Sequence, residues 1–208
     1  MPKSTLNRFL EYVRIDTQSH EDVPESPSNP NELEFMGMLI REIIELKLPV
    51  MQFDDGSILI NIPPTKGCEN APHIAFAAHV DTYFNCPGGA NPQELTYEGG
   101  DIHLIKDGII ILAKDLKGLE GKRIITSDGS TLLGADDKAG VAAIMTFIER
   151  LITQDVPHGP ISVLFCTDEE IGKLGISYFP KEVVEKWKIF WTVDGVGLDT
   201  IDVGCFYG

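Results

Sequence analysis

The chain has 208 residues, which is enough for one sizeable domain with a hydrophobic core. It carries 32 acidic and 17 basic side chains, a formal net charge of −15, which argues against electrostatic binding to nucleic acid or to an anionic membrane surface. The sequence begins without an apolar signal core and contains no apolar run of the roughly 18 residues that a membrane span needs, so we expect a cytoplasmic protein.

The first third of the chain predicts two helices and a pair of strands. Apolar residues at helical spacing indicate a short helix over residues 6–13, and a longer one begins at Pro30 or Asn31, after a polar loop. Residues 50–53 and 58–62 are typical of a hairpin or strand pair.

The middle of the chain predicts one buried strand and a series of short elements. Residues 74–78 are almost wholly apolar, as in a strand covered on both faces. We interpret residues 83–100 as a long irregular connection, of the kind that is usually functional or mobile. A small hairpin over residues 102–112 follows, with Asp107 and Gly108 at its turn. Residues 124–126 and 131–133 are interpreted as short buried strands.

The last third alternates helices and strands. A helix follows Gly134, and residues 161–166 form an apolar strand. A helical region over residues 172–187, broken by Pro180, precedes a last strand over residues 189–193. This order predicts an α/β domain with a mostly parallel sheet flanked by helices.

Acidic residues and one histidine follow the predicted strands. In such sheets ligands bind beyond the carboxyl ends of the strands. The residues at four predicted strand ends are His79 with Asp81, Asp136 with Asp137, Glu169 with Glu170, and Asp194. Taken singly, an Asp at a helix start is explained by capping, and a Glu-Glu pair by solvent exposure.

Brought together, these groups would repel one another without a cation. One imidazole with several carboxylates and no cysteine favours zinc or another first-row divalent ion, bound for catalysis, over magnesium or calcium. Two ions sharing a bridging carboxylate would explain the central Asp136. The four cysteines, Cys68, Cys86, Cys166 and Cys205, are scattered without metal-ligand spacing and are interpreted as reduced thiols.

Five segments together resemble the peptidase T family, the cytoplasmic dizinc tripeptide aminopeptidases within the wider aminoacylase and carboxypeptidase type of metallopeptidases. The segments are His79-Val80-Asp81-Thr82, residues 91–93 with 99–102, residues 126–140 around Gly134-Ala135-Asp136-Asp137-Lys138, Asp168-Glu169-Glu170-Ile171-Gly172-Lys173, and Thr192-Val193-Asp194-Gly195. The likeness extends over nearly the whole chain. It implies a zinc-peptidase-like catalytic domain, of which residues 1–208 would be the N-terminal portion.

The resemblance implies a role for each site residue. His79 and Asp194 would bind the first zinc and Glu170 the second, and Asp136 would bridge the two ions. Asp81 would orient the His79 ring. Glu169 would be the general base that takes a proton from water and passes it to the leaving amine. A cis peptide bond between Asp136 and Asp137 is also implied.

The family's chains continue beyond the Asp194 motif, so the resemblance implies that this chain is incomplete. The continuation holds a lid or dimerisation domain, the histidine of the second zinc site and the end of the catalytic domain. We therefore expect release of the N-terminal residue from tripeptides, and a homodimer only in the full-length protein. The alternatives are a catalytically silent truncated metallopeptidase or pseudoenzyme that binds one metal or a partner, and a related amidase such as an aminoacylase or dipeptidase.

Overall fold

A computed structural model describes residues 3–106, 108–195, 197 and 200–204, so Cys205 and the turn residue Asp107 lie outside the described residues. The helices and strands occur in the order α1 Thr5–Tyr12, α2 Pro30–Glu45, β1 Val50–Gln52, β2 Ile58–Ile62, β3 Ile74–His79, β4 Gln93–Thr96, β5 Ile102–His103, β6 Ile110–Ile111, β7 Arg123–Thr126, α3 Ala135–Thr153, β8 Ile161–Cys166, α4 Lys181–Val184 and β9 Ile189–Thr192. Within these elements and their connections, no helix has the length and apolar character to cross a membrane.

The central sheet has five strands in the order β1-β2-β8-β3-β9. Strands β8, β3 and β9 pair in parallel, whereas β2 pairs antiparallel with both β1 and β8. Strand β2 is therefore the one reversed strand of the five, and the other four point the same way. The predicted α/β fold with a mostly parallel sheet is confirmed, and its hydrogen-bond pairing is mixed.

The sheet is covered on both faces, which explains the nearly continuous apolar sequence of its inner strands. The larger core cluster joins alternate residues of β2 and β8 to the buried sides of α1, α2 and α3. A smaller cluster on the opposite face contains Leu59, Leu164 and Phe179. Pro180 caps the start of α4 and separates it from a 3-10 turn at Gly175–Tyr178, as its predicted helix-breaking position requires.

Two predicted elements differ in the structure. Strand β4 lies inside the segment interpreted as irregular and pairs antiparallel with β7 in a separate two-stranded sheet. Residues 131–133 do not form a strand. In that stretch the Leu132 N–H donates a hydrogen bond to the Pro87 carbonyl, and Leu133 packs against the main core. Apolar composition alone cannot distinguish a loop that contributes to the core from a short strand.

Candidate metal centre

The site lies at the carboxyl ends of β3, β8 and β9, which are neighbours in the sheet. His79 is the last residue of β3 and lies opposite Cys166, the last residue of β8. Because the three strands are parallel, the residues that follow them reach the same edge. Asp136 and Asp137 arrive differently: they stand in the first turn of α3, after a loop, so their predicted position at a strand end is wrong although they reach the same edge.

His79 connects the buried and the exposed sides of the site. Its side chain is buried, and Nδ1 donates to the Asp81 carboxylate at 3.2 Å and to the Asp81 carbonyl at 3.1 Å. Its Nε2 lies 2.9 Å from Asp136 Oδ1 and 4.0 Å from Asp194 Oδ2. One ring nitrogen is thus fixed by Asp81, and the other points toward two carboxylates.

Asp81 also holds the loop after β8. Its Oδ1 accepts the Glu169 N–H at 2.9 Å, and its Oδ2 accepts the Glu170 N–H at 3.0 Å. The side chain is fully buried. The same carboxylate therefore orients the His79 ring and the backbone of the Glu169-Glu170 pair.

The adjacent aspartates at the start of α3 have different environments, and the peptide bond between them is cis, as the resemblance implied. Asp137 is buried and accepts the Gly140 N–H at 3.2 Å and the His79 N–H at 3.3 Å, so it has the capping role considered for this position. Asp136 is exposed and has His79 as its hydrogen-bond partner. A Cβ on Gly140 would collide with the Val193 carbonyl, so only glycine permits α3 to approach the end of β9 this closely.

The charges of the site are strongly coupled. Burial lowers the pKa of His79, but hydrogen bonds to Asp136 and Asp81 outweigh that effect and raise the pKa to about 11. Burial raises the pKa of Glu169, Glu170 and Asp194, and neighbouring carboxylates raise it further. The His79 hydrogen bond lowers the pKa of Asp136. The cluster thus holds more negative charge than one imidazolium can balance.

Two groups of three residues have metal-ligand spacing, with one ligand atom of each residue within 4.8 Å of the others. One group is His79, Asp137 and Asp194, and the other is His79, Asp136 and Glu170. Both Asp137 oxygens accept backbone N–H groups, which leaves Asp136 the better donor to a cation. The donor set, one oriented imidazole with several crowded carboxylates, fits a first-row divalent ion.

A cavity of about 260 Å³ opens beside these residues. Its lining includes His79, Glu169 and Asp194 together with the cationic Lys173 and the apolar Phe190. The cavity gives a small ligand direct access to Glu169 and to the ligand groups.

Sequence reasoning missed the residues that support the loop after β8. Glu32, at the start of α2, is fully buried, and its Oε2 accepts the Asp168 N–H at 3.1 Å. The missed signal was local: Asn29 and Glu32 have the spacing of a capping box, and the structure forms one there. The contact to Asp168 crosses 136 residues of sequence and has no local signal.

Comparison with known proteins places the chain among peptidases. A model of peptidase family M28 matches residues 58–203. The chain is 41% identical over 201 residues to Peptidase T of Vibrio parahaemolyticus serotype O3:K6, an alignment that covers 93% of this chain and 48% of that protein. It is 39% identical over 203 residues to Peptidase T of Escherichia coli strain SE11, with coverage of 95% and 49%. The chain thus spans about half the length of these curated relatives.

Solved structures agree with these matches. The aminopeptidase PepT of Bacillus cereus superposes with a TM-score of 0.67 at 25% identity, over 93% of this chain and 43% of that chain. A tripeptidase of Staphylococcus aureus has a TM-score of 0.63 at 23% identity and supports the fold alone.

Proposed function

This chain belongs to peptidase family M28, and from that premise we propose that it forms the zinc-binding part of an aminopeptidase that releases the N-terminal residue of tripeptides. The observation that carries the proposal is the position of His79, which shares one ligand group with Asp136 and Glu170 and another with Asp194, on the cavity that Glu169 also lines. The predicted relationship to peptidase T is confirmed by the matches above. The tripeptide substrate is proposed from the resemblance to the peptidase T family, whose name the curated relatives carry.

In this proposal His79 and Asp194 would hold one zinc ion, Glu170 would hold a second, and Asp136 would be a ligand of both. Zinc there would supply Lewis acidity for the scissile carbonyl and for the attacking water. Asp81 fixes the tautomer and direction of His79, which are the properties that a hydrogen-bonded carboxylate gives a metal-bound imidazole. Among the described residues, His79 is the one histidine in either ligand group, so the second ion would be held less completely.

Glu169 is proposed as the general base. It lies on the cavity wall, and both its burial and the nearby Asp194 raise its pKa, which makes its carboxylate a better proton acceptor. Asp81 holds its backbone N–H, so the side chain starts from a fixed main chain. The Glu169 carboxylate would take a proton from water and deliver it to the leaving amine. Cytoplasmic localisation, the domain extent over residues 1–208 and homodimerisation of a longer chain stay predictions.

The test is tripeptide hydrolysis with added zinc by the wild-type chain, by Glu169→Gln and by Glu182→Gln. Glu169→Gln keeps size and removes the base, so we expect turnover to fall at least about 100-fold while zinc binding, measured by calorimetry, stays within about threefold. Glu182 is exposed on α4, and its substitution controls for the loss of one negative charge.

Other results of these measurements would favour one of the alternatives to the proposed function. Turnover that survives Glu169→Gln would refute the assigned base. Zinc binding without turnover in the wild type would indicate a catalytically silent chain. Cleavage of N-acyl amino acids or dipeptides in preference to tripeptides would indicate an aminoacylase or dipeptidase.

A further inference from the structure

Three consecutive backbone N–H groups in the loop after β8 donate hydrogen bonds to buried carboxyl groups. The Asp168 N–H donates to Glu32 Oε2 at 3.1 Å, and the Glu169 and Glu170 N–H groups donate to the two oxygens of Asp81. Consecutive N–H groups that converge on anions form the arrangement known as a nest. Here the acceptors are carboxyl groups of the protein itself, so the backbone of the Glu169-Glu170 pair is held on the side away from the cavity.

Glu32 joins this loop to the start of α2. Its Oε1 accepts the Asn29 N–H at 3.3 Å as part of the capping box, while Oε2 reaches Asp168. A capping carboxylate usually remains near the surface, but Glu32 is fully buried. Local helix capping alone does not require a carboxylate at this depth, whereas a contact to the loop does.

The side chain of Asp168 in turn binds the segment that precedes α2. Its carboxylate accepts the Ser28 N–H at 3.0 and 3.1 Å and the Ser26 hydroxyl at 2.6 Å. Asp168 has φ of +49°, a left-handed conformation that is uncommon for a non-glycine residue.

We propose that Glu32 is a positioning residue for the site, because it fixes the peptide at Asp168 and so aims the side chains of Glu169 and Glu170. The proposal rests on the function proposed above for those two glutamates. It assigns a role at the metal centre to the start of α2, which contributes no side chain to the ligand groups. Glu32 acts through the backbone and does not touch the substrate.

The matched variants are Glu32→Gln and Glu34→Gln, two substitutions in the same turn of α2. Glutamine keeps the volume of Glu32 but can accept through one atom only, so either Asn29 or Asp168 loses its acceptor. Burial, with the carboxylates of Asp81 and Asp168, raises the pKa of Glu32 to about 9, so this change alters hydrogen bonding with little change in net charge at pH 7. Glu34 is exposed and serves as the control.

The first measurement is amide hydrogen exchange by NMR on the 208-residue chain without metal. We expect the Asp168 and Glu169 amides of Glu32→Gln to exchange at least about tenfold faster than in wild type, and those of Glu34→Gln to be unchanged. The second is tripeptide turnover with zinc, where kcat should fall about 10- to 100-fold with KM within about threefold, because a displaced base affects the chemical step. Calorimetry should show weaker zinc binding through Glu170.

Unchanged exchange at Asp168 in Glu32→Gln would overturn the inference, as would faster exchange with wild-type kcat and zinc affinity. If the wild type itself neither binds zinc nor hydrolyses tripeptides, the proposed function fails, and exchange alone then decides whether Glu32 fixes this loop. If Glu32→Gln does not fold, Ser26→Ala replaces it. Ser26 is only partly buried, and loss of its hydroxyl should raise exchange at Asp168 in the same direction.

Discussion

Two sets of carboxylates meet at one edge of the sheet and differ in what surrounds them. The outer carboxylates are Asp136, Glu169, Glu170 and Asp194, and the inner carboxylates are Glu32, Asp55, Asp81 and Asp168. Every inner carboxylate is at most 1% exposed and accepts backbone N–H or hydroxyl groups from at least one other segment. Among the described residues, no backbone N–H group donates to an outer carboxylate.

The difference indicates how one residue type serves two tasks. A buried carboxylate whose oxygens accept N–H groups is satisfied within the protein and stabilises the arrangement of the chain. A carboxylate crowded against others without such donors raises the free energy of the metal-free protein, and a cation relieves that cost. We therefore expect substitutions of inner residues to alter stability, and to alter metal binding only through the groups they position, whereas substitutions of outer residues should alter metal binding directly.

The largest expected effect is at Asp136. Its side chain is 66% exposed and contacts His79, so Asp136→Asn should leave the free energy of unfolding within about 1 kcal/mol of wild type. Zinc affinity should fall more than about 100-fold, because loss of a direct ligand should exceed the 10- to 100-fold cost of losing a residue that supports one. Calorimetry and urea unfolding measure the two quantities, with the exposed Asp54→Asn as control. An unchanged zinc affinity would remove Asp136 from the ligand set.

Asp81→Asn tests the inner set. Asparagine can accept through one oxygen only, so either the Glu169 or the Glu170 N–H loses its acceptor in a partly buried position. We expect urea unfolding to show a loss of about 2 kcal/mol in the free energy of unfolding without metal. A loss below about 0.5 kcal/mol would mean that Asp81 contributes to orientation without stabilising the loop.

The pH dependence of stability tests whether Glu32 is protonated in the folded protein. Its pKa, about 9, lies above the ordinary value of 4.5, so its contribution to stability is complete below about pH 4.5 and is lost as the pH rises through about 9. Glu32→Gln cannot ionise. The stability of wild type relative to this variant should therefore decline between about pH 4.5 and 9, by at most about 1.4 kcal/mol per pH unit.

The charged groups around Glu32 are common to both proteins. They are Asp81 after β3, Asp168 after β8 and Lys138 of α3, whose pKa burial lowers to about 8. Their titration largely cancels in the difference between wild type and variant, which urea unfolding at several pH values provides. A difference that is constant with pH would show that Glu32 does not carry the proton.

The smallest effect is expected at Asp194. Burial and the nearby Asp136 raise its pKa, so its charged form is disfavoured in the folded protein. Asp194→Asn should increase the free energy of unfolding without metal by about 0.5 kcal/mol or less, since the carboxylate is partly exposed and screened by solvent. Its zinc affinity should nevertheless fall. Lower stability in this variant would contradict the assignment of Asp194 to the outer set.

Much of this molecule follows from local sequence. The helical spacing of apolar residues predicted α1, α2 and α3, because a helix that buries one face shows that period in its sequence. Continuous apolar runs predicted β3, β8 and β9, because strands covered on both faces are apolar throughout. The positions of His79, Glu169 and Asp194 follow in turn, since each lies at the carboxyl end of a parallel strand or within about three residues of it. Their shared location is a consequence of sheet geometry.

Tertiary structure decided the rest. Apolar composition did not distinguish the loop at residues 131–133 from a strand, because the distinction depends on whether a partner strand lies beside it. Two adjacent aspartates at the start of α3 have the same side chain, so local sequence did not distinguish their environments. Only the fold placed Asp137 where it accepts the Gly140 and His79 N–H groups and left Asp136 exposed. The contact between Glu32 and Asp168 joins residues with no local relation, so it exists only once α2 lies against the end of β8.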